Sequence, residues 1–149
     1  MNVKEFLSQA YYIHKKINAK LERLQVLKEI TKNALATPSD AVKNSTRNFQ
    51  KMEENITKML DLEAEIFSDI DRFINAQRDI NFLIKNIEYS KYQLILELRY
   101  LSFKKWEDIL ITLGYERRYL YKLHKKALAI CERVLKKDTK RHLQDTMNL

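Results

Sequence analysis

Trp106-Glu107-Asp108-Ile109-Leu110-Ile111-Thr112-Leu113-Gly114-Tyr115-Glu116-Arg117-Arg118-Tyr119-Leu120-Tyr121-Lys122-Leu123 is the stretch that decides the fold. Trp106 to Leu113 reads as a helix of about two turns. Gly114, the only glycine of the chain, follows at the point where a helix end favours left-handed backbone, which a Cβ atom would disfavour. A longer helix is predicted from about Glu116 to Lys136, with Leu120, Leu123, Ala127, Ile130 and Val134 on its inner stripe. A short helix, a glycine turn and a long basic helix make a helix-turn-helix pattern. In that arrangement the first helix braces against the DNA backbone, and the second presents its N-terminal residues to base edges in the major groove. Arg118, Lys122 and Lys125 follow helical steps of four and three on the side away from Leu120 and Leu123, flanked by Arg117 and Tyr121. Arginine and lysine suit guanine edges and phosphate, and tyrosine suits phosphate or a thymine methyl.

Upstream, Ser90-Lys91-Tyr92-Gln93 fits a capping box, in which a serine oxygen and a glutamine side chain satisfy two free backbone donors. A short helix carrying Leu94, Ile95, Leu98 and Tyr100 follows, then a loop over Leu101-Ser102-Phe103-Lys104. Further upstream, Phe6, Ala10, Ile13, Ile17, Leu24 and Leu27 recur at steps of three and four, with Lys20 and Thr31 interrupting and Leu7, Leu21 and Ile30 widening the stripe. That helix is expected to run from Val3 to about Leu35, where Ala36-Thr37-Pro38-Ser39-Asp40 stops it. A second stripe includes Phe49, Met52, Ile56, Met59, Ile66, Ile70, Phe73, Ile80, Ile84 and Ile87, with Glu63 and Gln77 as polar insertions. A helix over about 46–88 would be roughly 60 Å long. The first helix is expected to fold back along it as an antiparallel coiled-coil hairpin with Pro38 at the tip.

The expected fold is therefore all-α: a long helical hairpin over 1–88, a compact three-helix unit over 89–137 and a polar tail over 138–149. Composition agrees. One glycine and one proline in 149 residues, against roughly ten and seven in an average chain, exclude turn-rich sandwiches, barrels and glycine-rich phosphate loops. Cys131 is a lone cysteine, so no internal disulfide or paired-cysteine zinc site is expected. Its place near the inner face of the last helix predicts a buried thiol. The N-terminus does not read as a signal peptide and no run reads as a membrane span, so a cytoplasmic protein with no membrane partner is expected. The net charge is +8, and residues 1–90 carry 14 basic against 13 acidic side chains (+1), whereas 91–149 carry 14 against 7 (+7). Such asymmetry suggests a near-neutral scaffold joined to a segment that meets a polyanion.

Leu96-Glu97-Leu98-Arg99-Tyr100-Leu101, Trp106-Glu107-Asp108-Ile109, Leu113-Gly114-Tyr115-Glu116-Arg117-Arg118 and Leu123-His124-Lys125-Lys126-Ala127-Leu128 resemble the C-terminal promoter-reading region of bacterial sigma-70 factors. The resemblance is closer to small proteins of Gram-positive phages and prophages related to the ArpU and RinA type of late-gene regulators, which carry such a unit behind an N-terminal helical hairpin. Val3-Lys4-Glu5-Phe6-Leu7 and Asp61-Leu62-Glu63-Ala64-Glu65-Ile66 fit that group too. The similarity of motif covers about residues 94–128. It implies that base-reading positions fall on Arg117, Arg118 and Lys122. Sigma factors carry Arg, Glu and Gln there; this chain keeps the first and has basic residues at the others, so a different target sequence is implied.

The expected function is a sequence-specific DNA-binding transcription regulator. Arg117, Arg118, Tyr121 and Lys122 are the base-reading candidates; Lys104, Lys105, Lys125, Lys126 and Arg133 are the phosphate candidates. Double-stranded DNA is the expected partner, with RNA polymerase and a second copy of the hairpin as further candidates. A packaging protein of the small-terminase type and a module that docks on RNA polymerase without reading DNA are the alternatives. No cofactor, metal or catalytic role is expected, since Asp69 and Asp71 have no evident partner to tune them and the three histidines are scattered. Trp106, Tyr11, Tyr12, Tyr89, Tyr92 and Tyr100 read as packing residues.

Overall fold

The computed structural model describes residues 2–36 and 45–148. They form five α-helices and no strand: α1 Val3–Ala36, α2 Ser45–Lys85, α3 Ser90–Leu96, α4 Trp106–Leu113 and α5 Arg117–Met147. A π-helical turn, Glu97–Leu101, follows α3 directly. No described helix is long and apolar enough to cross a membrane. The Pro38 loop lies outside the described residues.

Contacts divide the chain into two compact units, residues 13–73 and residues 1–12 with 74–149. This grouping differs from the boundary expected at 88/89. The physical reason lies at the ends of the two long helices. Leu7 and Ala10 on α1, and Ile80 and Ile84 on α2, are fully buried; these ends belong to the unit that contains α3, α4 and α5.

Within the unit of residues 13–73, Ile17 and Leu24 of α1 pack with Leu62 and Ile66 of α2, joined by Ile13, Leu27, Met59, Ile70 and Phe73. Lys20 pairs with Asp69 (Nζ–Oδ2, 2.6 Å) and Glu65 (3.4 Å), and Lys28 with Glu63 (3.9 Å). Rising numbers on α1 thus meet falling numbers on α2, so the segments run antiparallel. Phe49 and Ile56, expected on the inner stripe, are 57% and 38% exposed, whereas Ile66, Ile80 and Ile84 of the same stripe are buried, together with Leu62, Asp69 and Ala76. Thr31, a polar interruption, is buried and donates its hydroxyl to the Leu27 carbonyl at 2.8 Å.

Asp69 corrects the expectation of an unpartnered carboxylate. It is buried, and its hydrogen bond from Lys20 holds its carboxyl below the usual aspartate value, with Lys20 raised in return. The lowered acid stabilises the fold above the ordinary carboxylate range, and that contribution fades as pH falls through it. The raised base contributes below the ordinary lysine value and fades above it. The pair therefore acts across the neutral range.

Two further differences concern helix ends. Ser90 is the first residue of α3 rather than its cap; Tyr89 is the cap residue, without a side-chain hydrogen bond. The Gln93 amide nitrogen donates to the Ile87 carbonyl, so no capping box forms. The last helix continues to Met147 instead of ending near Lys136, since residues 137–147 contain neither glycine nor proline to stop it.

Removing one member of this part-buried pair leaves the other with only a longer contact, Glu65 at 3.4 Å for Lys20 or Arg72 at 3.7 Å for Asp69, which costs more than the pair itself contributes. Asp69→Leu and Lys20→Leu should each lower Tm by several degrees, and the double variant should recover most of the loss. Melting curves of the four proteins at neutral pH measure this; additive losses would show that the pair does not act as a unit.

Candidate nucleic-acid interface

The second unit gathers α3, the π-helical turn, α4 and α5 about one core. Ile95, Ile109, Leu120 and Leu123 pack together, flanked by Tyr92, Leu98, Trp106, Leu110, Leu113 and Tyr115. Ile95 and Ile109 are fully buried, each contributing roughly 1.5–3 kcal/mol relative to exposure.

The bounds of α4 agree with those expected. It ends on Gly114, which has φ 67° and ψ 28°, the left-handed conformation, with its N–H bonded to the Leu110 carbonyl at 2.9 Å. A Cβ built there meets no atom within 4 Å. The demand for glycine is therefore made by the backbone alone, without crowding.

From this turn α5 starts with Glu116 as its cap residue. Leu120, Leu123, Ala127 and Cys131 are buried, and Ile130 and Val134 are half-buried. Burial pushes the Cys131 thiol up to about 11, so it is protonated and unreactive at neutral pH. Arg117, Arg118, Tyr121 and Lys122 are all exposed. Lys125, Lys126 and Arg133 continue the exposed positive surface along the helix, and Lys104 and Lys105 are exposed just before α4.

The four expected base readers do not share one environment. Arg117 and Tyr121 line a cavity of about 460 Å³; Arg118 and Lys122 are not among its walls. That cavity also receives Lys4, Ser8 and Tyr11 from the first turns of α1, and Arg99 and Tyr100 from the π-helical turn. Sequence reasoning assigned none of these five to a site, because they approach α5 from segments far apart in the chain.

The centre of this region is His124. Its Nε2 is hydrogen-bonded to Tyr100 Oη at 2.7 Å, and its ring lies 4.5 Å from Trp106. Burial, followed by the positive charges of Lys4 and Arg99, lowers His124 to about 4. Burial raises Tyr100 to about 12. Both groups are neutral at physiological pH. Arg99 lies over the Trp106 ring, 4.8 Å from its centre, and donates to the Lys104 carbonyl at 3.0 Å. On another side, Lys91 donates to Tyr119 Oη at 2.9 Å, and that bond, with the tyrosine's charge, raises its pKa.

Tyrosine burial is uneven. Tyr100 is buried and Tyr92 half-buried, but Tyr12 and Tyr89 are 69% and 59% exposed and Tyr11 is 40% exposed. These three are not core residues; helical spacing alone did not distinguish core from rim. Comparison with protein-family models, with curated proteins and with solved structures finds no match.

Gly114→Val should cost about 1–3 kcal/mol through backbone strain, whereas Gly114→Asn should cost less because asparagine tolerates this conformation better. Urea unfolding of the three proteins would measure the order; equal stability would remove the strain argument. His124 gives a pH test. Its folded value lies below its unfolded one, so the unfolded chain binds more protons between about pH 6.5 and 4, and stability falls as pH falls through that window. Relative to His124→Gln, the wild type should lose roughly 1–2 kcal/mol over it, allowing for partial solvent screening. Parallel pH profiles for the two proteins would mean the imidazole titrates normally.

Proposed function

We propose that this protein is a sequence-specific transcription regulator that binds double-stranded DNA with α5 in the major groove. In this reading the antiparallel helices of residues 13–73 form a hairpin arm for self-association or for docking on RNA polymerase. The unit containing α3, α4 and α5 is a helix-turn-helix body. The observation that carries the reading is the left-handed Gly114 turn between α4 and a helix whose first turns expose Arg117, Arg118, Tyr121 and Lys122, with Arg118 and Lys122 on the side away from buried Leu120 and Leu123. A recognition helix needs that combination: a rigid brace, a sharp turn and basic or aromatic side chains at the leading end.

The charge distribution supports it. Seven of the eight excess positive charges fall in residues 91–149. Such a surface attracts the phosphate backbone through counterion release, independent of sequence. Base discrimination then rests on the few side chains at the start of α5. Arg118 is the best single candidate, since it is exposed and lies outside the cavity wall, and arginine can make a bidentate contact to guanine. The resemblance of residues 94–128 to promoter-reading regions points the same way.

The test separates base reading from charge. A binding site is first selected from a random duplex pool with the full chain. Arg118→Ala should weaken that site roughly ten- to hundredfold and relax preference at one position, leaving scrambled duplex much less affected. Lys126→Ala should weaken both duplexes about equally and lower the salt slope by about one. Equal losses for Arg118→Ala on the two duplexes would make Arg118 a phosphate contact. If the full chain selects no sequence, the regulator reading fails.

A further inference from the structure

The cavity beside α5 has a chemistry that a DNA-reading helix does not require. Aromatic rings form much of its wall: Tyr11, Tyr100, Phe103, Trp106 and Tyr121, with the His124 imidazole among them. Tyr11 meets Phe103 edge-on, with ring centres 5.8 Å apart, and Trp106 meets His124 in the same way at 4.5 Å. Phe103 also holds a left-handed backbone, φ 57°, although it is not glycine. Bulky residues avoid that conformation, and such strain concentrates at ligand sites.

Charge is the second feature. Lys4, Arg99 and Arg117 are cationic, and no carboxylate among the described residues lines the cavity. None of the ion pairs among the described residues involves these three side chains. Tyr100 and Ser8 add hydroxyls. The volume, about 460 Å³, falls within the range of about 300–1,000 Å³ typical of small-molecule pockets. Flat apolar walls favour a planar ring, and like charges with no internal counter-ion favour an anion.

We propose that this cavity is a binding site for a small planar aromatic anion, its ring among Tyr11, Phe103 and Trp106 and its negative group facing Lys4, Arg99 and Arg117. A consequence follows for DNA, and it rests on the DNA-binding reading above. Arg117 and Tyr121 belong both to the cavity wall and to the leading end of α5. A ligand that engages them withdraws them from a duplex, so ligand and DNA oppose each other's binding, reciprocally.

Trp106 is the chain's only tryptophan, so a ¹⁵N-labelled full chain shows one indole N–H signal, and that signal reports from the cavity. The probes are 1-naphthyl phosphate and adenosine monophosphate, with inorganic phosphate, 1-naphthol and adenosine as the separated halves. Saturable movement of the indole signal is expected with the ring-bearing anions, at least about tenfold tighter than with any half. Lys4→Gln, which changes no residue of the DNA-reading set, should weaken 1-naphthyl phosphate by about tenfold and leave 1-naphthol unchanged; an otherwise unaltered spectrum checks its fold. No saturable movement with either ring-bearing anion would overturn the site. So would inorganic phosphate binding as tightly as 1-naphthyl phosphate, or Lys4→Gln binding as wild type does. These titrations contain no DNA, so their outcome does not depend on the regulator reading. In a second arm, saturating 1-naphthyl phosphate should weaken duplex binding by wild type, and much less by Lys4→Gln at the same concentration. Unchanged duplex affinity with the site filled would overturn the opposition between ligand and DNA.

Discussion

The left-handed turn at Gly114 is the constraint on which the α3–α5 unit depends. Eight residues of α4 bury only Ile109 completely, too little apolar surface to hold a two-turn helix by itself. The turn makes that helix useful by redirecting the chain so that Leu120 and Leu123 of α5 reach the same core as Ile109 and Ile95. Because open space surrounds the position of the absent Cβ, the geometry is enforced by φ and ψ rather than by neighbours. A local backbone preference at one residue thus sets where a 31-residue helix begins and which of its faces is left in water.

The features legible in the sequence are those whose cause is local. Both bounds of α4, the left-handed glycine and the buried Leu120–Leu123–Ala127 row follow from spacing and one backbone preference. The antiparallel contact between α1 and α2 follows from two apolar stripes. What was not legible depends on residues distant in sequence. Lys20 reads as a defect in a stripe until Asp69, 49 residues away, is seen to receive its hydrogen bond. The π-helical turn is invisible to a three-and-four pattern, because it adds one residue per turn: Ser102 N–H bonds to the Glu97 carbonyl, five back. The cavity is the extreme case. Its walls come from residues 4–12, 99–106 and 110–124, and no periodicity connects them.

That π-helical turn is also what separates Arg99 and Tyr100 in role. Tyr100 is buried and hydrogen-bonded to His124, whereas its neighbour Arg99 is half-exposed, lies over Trp106 and reaches the Lys104 carbonyl. Two adjacent residues therefore anchor the π-helical turn to two places, the loop before α4 and α5 itself. The guanidinium ties the backbone at Lys104, and the phenol ties the imidazole of α5. Phe103, in a left-handed conformation with its ring edge-on to Tyr11, is kept there by surrounding contacts rather than by its own preference. The loop consequently joins two helices while presenting a ring to the cavity.

Electrostatics explains why the centre of this region is neutral. A charged imidazole at His124 would add a further positive charge close to Lys4 and Arg99, in a place with little water to screen it. Burial and those two cations together hold it at about 4, so it acts as a polar hydrogen-bonding ring and leaves the positive charge to the arginines and the lysine. The faces of α5 then divide by helical spacing. Leu120, Leu123 and Ala127 are buried; Arg117, Tyr121 and His124, at steps of four and three, line the cavity; Arg118, Lys122 and Lys125, one residue further on at the same steps, are exposed. Residues one apart on a helix differ by about 100° in direction, so these roles are kept apart by geometry on a single helix.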